Sequence, residues 1–150
     1  MHSDLLEHAR ALLAGERDPI ANAANVAALI YDTLPDVNWA GFYFLKGGEL
    51  VLGPFQGKPA CVRIAVGKGV CGTAVAQRKT QLVPDVHAFP GHIACDSASE
   101  SEVVVPLYRG TDIIGVLDLD SPRLNRFTEA DARAMEEIAK IYVEASGIEG

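Results

Sequence analysis

A glycine-containing turn between two runs of strand-forming residues occurs twice in this chain and constrains its fold more than any other feature. The two turns are Lys46-Gly47-Gly48 and Gly110-Thr111-Asp112. Apolar, β-branched and aromatic residues on both sides of such a turn are typical of an antiparallel β-hairpin. The sequence therefore predicts two hairpins, with strands over residues 38–45 and 49–53 and over residues 103–108 and 113–120.

Helical patterns lie at both ends of the chain. Apolar residues recur at the spacing of an amphipathic helix over residues 3–13 and 19–34. A third helix is predicted after Thr128, because Thr128 and Asp131 form a capping-box pair. Hairpins bounded by terminal helices favour the α+β class, with a central antiparallel sheet flanked by N- and C-terminal helices.

The middle of the chain contains shorter elements. We expect strands over residues 61–64 and 81–83 and a helix of small residues over 72–77, with Cys71 at its entrance. A length of 150 residues is ordinary for one domain, so residues 1–150 are predicted to form a single domain.

A long loop is predicted over residues 84–100, which contain turn-forming residues and little apolar periodicity. Loops of this length inside a compact domain are usually functional. This one carries His87, His92 and Cys95. We expect the two histidines to make hydrogen bonds within the loop, and the position of the cysteine in such a loop favours a functional role for it.

Charge and hydropathy exclude several classes of protein. The net charge of −7 repels phosphate backbones, which argues against nucleic acid as a partner. No apolar run approaches the roughly 20 residues that a membrane span needs, so no membrane association is expected. The N-terminus lacks the cationic and apolar regions of a secretory signal, and a cytoplasmic location is therefore expected.

Three cysteines, Cys61, Cys71 and Cys95, cannot all pair with one another. A reducing cytosol also makes stable structural disulfides rare. The three residues are therefore reactive, metal-binding or simply buried as small apolar side chains.

Five segments carry a resemblance to a known family. Residues 114–121, followed by Arg126-Phe127-Thr128 and a capped helix, resemble the end of a GAF domain. Four further segments resemble the free methionine-(R)-sulfoxide reductases, which are stand-alone GAF domains, and the match extends over residues 15–142. These segments are residues 38–43, 52–61, 69–74 and 85–96, and they contain all three cysteines.

The resemblance implies a GAF-like fold and thiol-dependent reduction of free L-methionine-(R)-S-oxide to L-methionine. It implies that Cys95 attacks the sulfoxide, that the cysteine becomes a sulfenic acid, and that Cys61 then closes a disulfide that thioredoxin reduces. No bound cofactor or metal is expected. The residues alone favour Cys71 as the resolving cysteine, since a helix N-terminus lowers a thiol pKa, so the choice between Cys61 and Cys71 stays open.

Free methionine sulfoxide carries an ammonium group that anionic side chains would bind. Glu102, Asp118 and Asp120 occupy family motifs, and the two aspartates share one strand face because they are two residues apart. Glu102 becomes a candidate proton donor if burial or Asp118 raises its pKa. Trp39 and Tyr43 share a strand face and are expected to wall the sulfur end of the substrate. By analogy with the family, we also expect a homodimer that uses the first helix.

Two other functions remain open from the sequence. A non-enzymatic GAF sensor would use the same pocket for a small ligand without chemistry. Cys61, Cys71, Cys95 and His92 would satisfy a zinc ion, although their spacing lacks a C-x2-C knuckle.

Overall fold

The computed structural model describes residues 2–91 and 98–147. Within them, four α-helices and one short 3-10 turn surround a six-stranded sheet. No helix in these two ranges is both long and apolar enough to cross a membrane. The helices are α1 (His2–Leu13), α2 (Pro19–Thr33), α3 (Gly69–Gln77) and α4 (Glu129–Ala145), the 3-10 turn is Val86–Ala88, and the strands are β1 (Trp39–Lys46), β2 (Glu49–Gly57), β3 (Arg63–Ala65), β4 (Gln81–Val83), β5 (Ser101–Arg109) and β6 (Asp112–Ser121).

The sheet has the strand order β3-β2-β1-β6-β5-β4, and every neighbouring pair is antiparallel. Both predicted hairpins are present, as β1–β2 and β5–β6. They are joined through the pairing of β1 with β6. The predicted α+β class, with an antiparallel sheet and terminal helices, is confirmed.

Three helices cover one face of the sheet. Alternate strand residues point to this face, and with α1, α2 and α4 they form the larger apolar core. Its fully buried side chains include Phe42 of β1, Leu117 and Leu119 of β6, and Ile138 and Tyr142 of α4. This core holds β1, β6 and β5 together and leaves their opposite face available for α3 and a cleft.

Strand β2 is longer than the sequence predicts. A loop was expected from Pro54 onward, but β2 continues to Gly57. The register with β1 shifts between Gly41 and Tyr43, so two residues of β2 lie opposite Phe42. Such a bulge accommodates a proline, which has no N–H to donate to the ladder.

The predicted capping box at the start of α4 is confirmed. The Thr128 hydroxyl accepts a hydrogen bond from the Asp131 N–H at 3.1 Å, and the Asp131 carboxylate accepts one from the Thr128 N–H at 2.9 Å. His2 lies 2.8 Å and Arg126 3.3 Å from the same carboxylate. Burial opposes ionisation of Asp131, yet these hydrogen bonds and the Arg126 charge hold its pKa below the usual value. The cap thus ties α1 and the β6–α4 connection to the first turn of α4.

We expect Thr128→Ala to lower the free energy of unfolding by about 1 kcal/mol, because the first turn of α4 loses its side-chain acceptor. Urea titration monitored by circular dichroism measures this change. Thr111→Ala is the matched control, since Thr111 is exposed in the β5–β6 turn. An equal loss in both variants would contradict a role for the cap.

Candidate functional site

Strand register places the predicted acidic and aromatic residues on one face of the sheet. Trp39 pairs with Asp120, and Asp120 pairs with Glu102, so these three residues form a row across β1, β6 and β5. Asp118 lies in the next row, opposite Gly41 of β1. Because side chains alternate along a strand, all of them point away from the large helical core and towards α3.

Together with α3, this face encloses a cavity of about 50 Å³. The five predicted substrate-binding residues, Trp39, Tyr43, Glu102, Asp118 and Asp120, all line it. The remaining lining residues are Pro59, Ala60, Ile64, Lys68, Gly69, Val70, Cys71 and Ser99.

The aromatic wall is rigid. Trp39 stacks on Tyr43 with ring centroids 6.0 Å apart and on Phe55 at 5.1 Å. The indole N–H of Trp39 donates to the Lys58 carbonyl at 3.0 Å. An indole fixed by stacking and by a hydrogen bond presents an apolar, polarisable surface to the cavity.

Two carboxyl groups are buried beside this wall. Glu102 and Asp118 are 6% and 5% exposed. Burial raises the pKa of Glu102 well above its usual value, and the charges of Asp118 and Asp120 raise it further. Burial also raises the pKa of Asp118, against the opposing effect of hydrogen bonds from Glu102, Cys71 and Asp120. Glu102 is therefore suited to keep its proton at a higher pH than an ordinary glutamate does and to deliver it inside the cavity.

The cavity is also suited to a cation. Ligand atoms of Cys71, Glu102 and Asp118 lie within 4.8 Å of one another. Oδ1 of Asp118 is buried and has no hydrogen-bond partner in the described part of the chain. An unsatisfied buried carboxylate oxygen is costly, and an ammonium group or a metal ion would satisfy it.

Cys71 is a free, buried thiol in the first turn of α3. Gly72 allows this close packing, because a Cβ there would lie 2.4 Å from the Ala65 carbonyl oxygen. The sequence suggested that the helix N-terminus would lower the thiol pKa. Instead, burial raises the pKa of Cys71 well above its usual value, and the charges of Asp118 and Glu102 raise it further. The expected reason for preferring Cys71 is therefore wrong.

Cys61 lies at the edge of the cavity, beside the lining residue Ala60. A strand start was predicted for it, but β3 begins two residues later, at Arg63. The Tyr43 hydroxyl donates to the Cys61 carbonyl at 2.8 Å and anchors this segment. Cys61 is disulfide-bonded and offers no thiolate to a metal in this state. Cys95 and His92 lie outside the described residues.

Sequence reasoning missed the cationic side of the cavity. Lys68 occupies the N-cap of α3 and lines the cavity, but makes no side-chain capping bond. The first N–H groups of a helix lack intrahelical partners and favour anions. The Gly67-Lys68-Gly69 string before the small-residue helix was the available signal.

His87 makes the expected hydrogen bonds within the loop. Its backbone N–H donates to the Asp85 carboxylate at 3.0 Å, and its ring nitrogen lies 3.3 Å from the Glu100 carboxylate.

Comparison with known proteins identifies similar chains. A family model described as GAF domain matches residues 21–145. The free methionine-R-sulfoxide reductase of Escherichia coli is 56% identical over 137 residues, which cover 91% of this chain and 83% of the relative. The structure of free methionine-R-sulfoxide reductase from Neisseria meningitidis in complex with its substrate is 46% identical, with a TM-score of 0.94, and covers 97% of this chain and 87% of that one. The structure of fRMsr of Staphylococcus aureus in complex with substrate is 51% identical, with a TM-score of 0.92 and coverages of 96% and 94%.

The raised pKa of Glu102 makes folding stability depend on pH. Unfolded glutamate ionises at about pH 4.3, whereas the folded chain keeps Glu102 protonated to higher pH. This contribution to stability is complete below the unfolded pKa and is lost as the pH rises through the folded pKa. We therefore expect Glu102→Gln to gain stability relative to the wild type as the pH rises above about 4.3.

Urea unfolding at several pH values tests this expectation. Glu7→Gln is the matched control, because Glu7 is exposed on α1. A constant difference between Glu102→Gln and the wild type across this range would contradict a protonated Glu102.

Proposed function

Since the chain belongs to the GAF domain family and, within it, to the free methionine-R-sulfoxide reductases, a group of oxidoreductases, we propose that it reduces free methionine-(R)-sulfoxide to methionine. The observation that carries the proposal is the pairing of a buried, proton-holding Glu102 with the unsatisfied Asp118 oxygen beside an aromatic wall. A sulfoxide needs a proton at its oxygen when that oxygen leaves, and a free amino acid brings an ammonium group.

The substrate is oriented by its ammonium group, its carboxylate, and its methyl and sulfur end. Asp118 and Asp120 bind the ammonium group, and Lys68 with the first turn of α3 binds the carboxylate. The methyl and sulfur end lies against Trp39 and Tyr43. A peptide-bound methionine sulfoxide lacks both terminal charges, so a pocket of this kind selects the free amino acid.

The chemistry begins with attack of the Cys95 thiolate on the sulfoxide sulfur. Glu102 donates a proton to the oxygen, and the oxygen is transferred to Cys95, which becomes a sulfenic acid while methionine leaves. The Cys61 thiol then attacks the sulfenic sulfur, releasing water and forming a disulfide. Two thiols of thioredoxin reduce this disulfide to two thiols, and thioredoxin itself is oxidised to a disulfide.

The assignment of Cys61 as the resolving residue is supported by the contrast between the two described cysteines. Cys61 is disulfide-bonded at the cavity edge, whereas Cys71 is a buried thiol. A thiol whose pKa is raised by burial and by neighbouring carboxylates is a poor attacking group. We propose that Cys71 remains a thiol during turnover.

The need for thioredoxin agrees with the cytoplasmic location proposed for the protein. A homodimer through α1 remains a prediction.

The first test compares substrates. Wild-type protein with thioredoxin, thioredoxin reductase and NADPH should consume free methionine-(R)-sulfoxide and leave the S epimer and N-acetylmethionine-(R)-sulfoxide unchanged. Acetylation removes the ammonium group that Asp118 would bind, so it should remove turnover. NADPH oxidation and chromatography of methionine measure the outcome. No consumption of any of the three would instead support a GAF sensor without chemistry.

The second test separates the roles of the cysteines. Cys95→Ser should produce no methionine even with enzyme in excess over substrate. Cys61→Ser should release about one methionine per protein and then stop with thioredoxin as reductant, because the sulfenic acid has no resolving thiol. Cys71→Ser is the matched variant and should continue to turn over. If Cys71→Ser stopped after one turnover while Cys61→Ser continued to turn over with thioredoxin, the assignment of the resolving residue would be reversed.

A further inference from the structure

Basic residues are concentrated around Cys61. Residues 50–84 contain five of the thirteen Lys and Arg residues and none of the twenty Asp and Glu residues. The rest of the chain is therefore strongly acidic. Within this segment, Lys58 and Lys68 lie on either side of Cys61 in sequence, and Arg63 lies two residues after it. Arg63 also pairs with Glu49 at 2.8 Å on the surface.

Two exposed valines follow the same cysteine in the chain. Val62 is 59% exposed and Val66 is 40% exposed. Val62 follows Cys61 directly, and Val66 follows the last residue of β3. Apolar side chains beside a redox-active sulfur, with basic residues nearby, are typical of a contact surface for another protein.

The strand between these valines is an open edge of the sheet. Among the described residues, β3 is the first strand in the sheet order and pairs only with β2. The Leu52 N–H donates to the Val62 carbonyl at 2.9 Å, so Leu52 and Val62 form a hydrogen-bonded pair. Hydrogen-bonded and non-hydrogen-bonded pairs alternate in antiparallel ladders, and Val51 pairs with Arg63. The backbone N–H and C=O of Arg63 therefore point away from β2, towards the open edge.

We propose that this β3 edge, defined as Lys58, Val62, Val66 and the backbone of Arg63, docks the dithiol protein that reduces the Cys61 disulfide. The inference rests on the proposed function, which requires such a reductant. The partner has an acidic rim and an apolar centre, and it adds an extended backbone segment alongside Arg63. Docking there brings its thiolate to Cys61 Sγ.

The exchange at Cys61 is balanced by the two thiols of the partner. Its first thiolate attacks Cys61 Sγ and forms a mixed disulfide, while the other sulfur of the Cys61 disulfide leaves as a thiolate. The second thiol of the partner then attacks the sulfur that the partner contributes to the mixed disulfide, and Cys61 is released as a thiol. The protein gains two electrons and two protons, and the partner becomes a disulfide.

The first experiment compares a protein reductant with a small one. Val62→Asp should raise the KM for thioredoxin by about tenfold or more, because it places a charge in the apolar centre of the contact. Turnover supported by dithiothreitol should stay at the wild-type rate. Leu124→Asp is the matched control, since Leu124 is 56% exposed and lies after β6. An unchanged KM for thioredoxin in Val62→Asp would overturn the proposal.

The second experiment tests the edge of β3. Arg63→Ala removes the guanidinium group and keeps the backbone N–H, whereas Arg63→Pro removes both. Proline is tolerated where an edge strand turns its N–H away from the sheet. Arg63→Pro should therefore raise the KM for thioredoxin beyond Arg63→Ala, with equal dithiothreitol-supported rates in both. Equal KM values for the two variants would overturn the backbone contact.

The third measurement tests charge. The kcat/KM for thioredoxin should fall as the salt concentration is raised. At low salt, Lys58→Glu should have a lower kcat/KM for thioredoxin than the wild type. Salt independence in the wild type would overturn the electrostatic part of the proposal. Failure of the proposed function is recognised separately, because wild-type protein would then produce no methionine with dithiothreitol.

Discussion

The burial of Glu102 and Asp118 is the constraint on which the site depends. Each carboxyl group is taken out of water on a sheet face that also carries Asp120, next to a second buried carboxyl and a thiol. A folded chain accepts this arrangement only if protons or a bound cation neutralise the cluster. The opposite face supplies the compensating stability, because α1, α2 and α4 bury an uninterrupted apolar core against the same strands. One sheet therefore carries both the stabilising core and the destabilising site.

Much of this arrangement follows from patterns that lie close together in sequence. The hairpins, the terminal helices and the capping box at Thr128 depend on local residues, and all are present. The shared face of Asp118 and Asp120 follows from the two-residue period of a strand. The convergence of Trp39 and Glu102 on that face depends on the pairing of β1 with β6 and of β6 with β5, which the resemblance to a family supplied and the periodicity alone did not.

The predictions that failed depended on contacts between distant segments. A proline at position 54 is a local signal for a loop, but the bulge opposite Phe42 lets β2 continue through it. A helix N-terminus is a local signal for an acidic thiol, but burial of Cys71, together with the carboxylates of β5 and β6 that face it, reverses the expected pKa shift. Lys68 was missed although its flanking glycines were a signal, because the acidic and aromatic residues of the cavity wall that it joins are distant in sequence.

The two described cysteines differ because of where the fold places them. A thiol in the first turn of α3, surrounded by carboxylates, is kept protonated and away from solvent, so it is protected from oxidation and slow to attack. A cysteine at the cavity edge, held by the Tyr43 hydroxyl at its carbonyl, lies between the substrate cavity and the open edge of the sheet. In the proposed mechanism, the second position exchanges electrons with a group inside the cavity and with a protein outside it. The sheet edge at β3 would then connect the reaction to an external reductant.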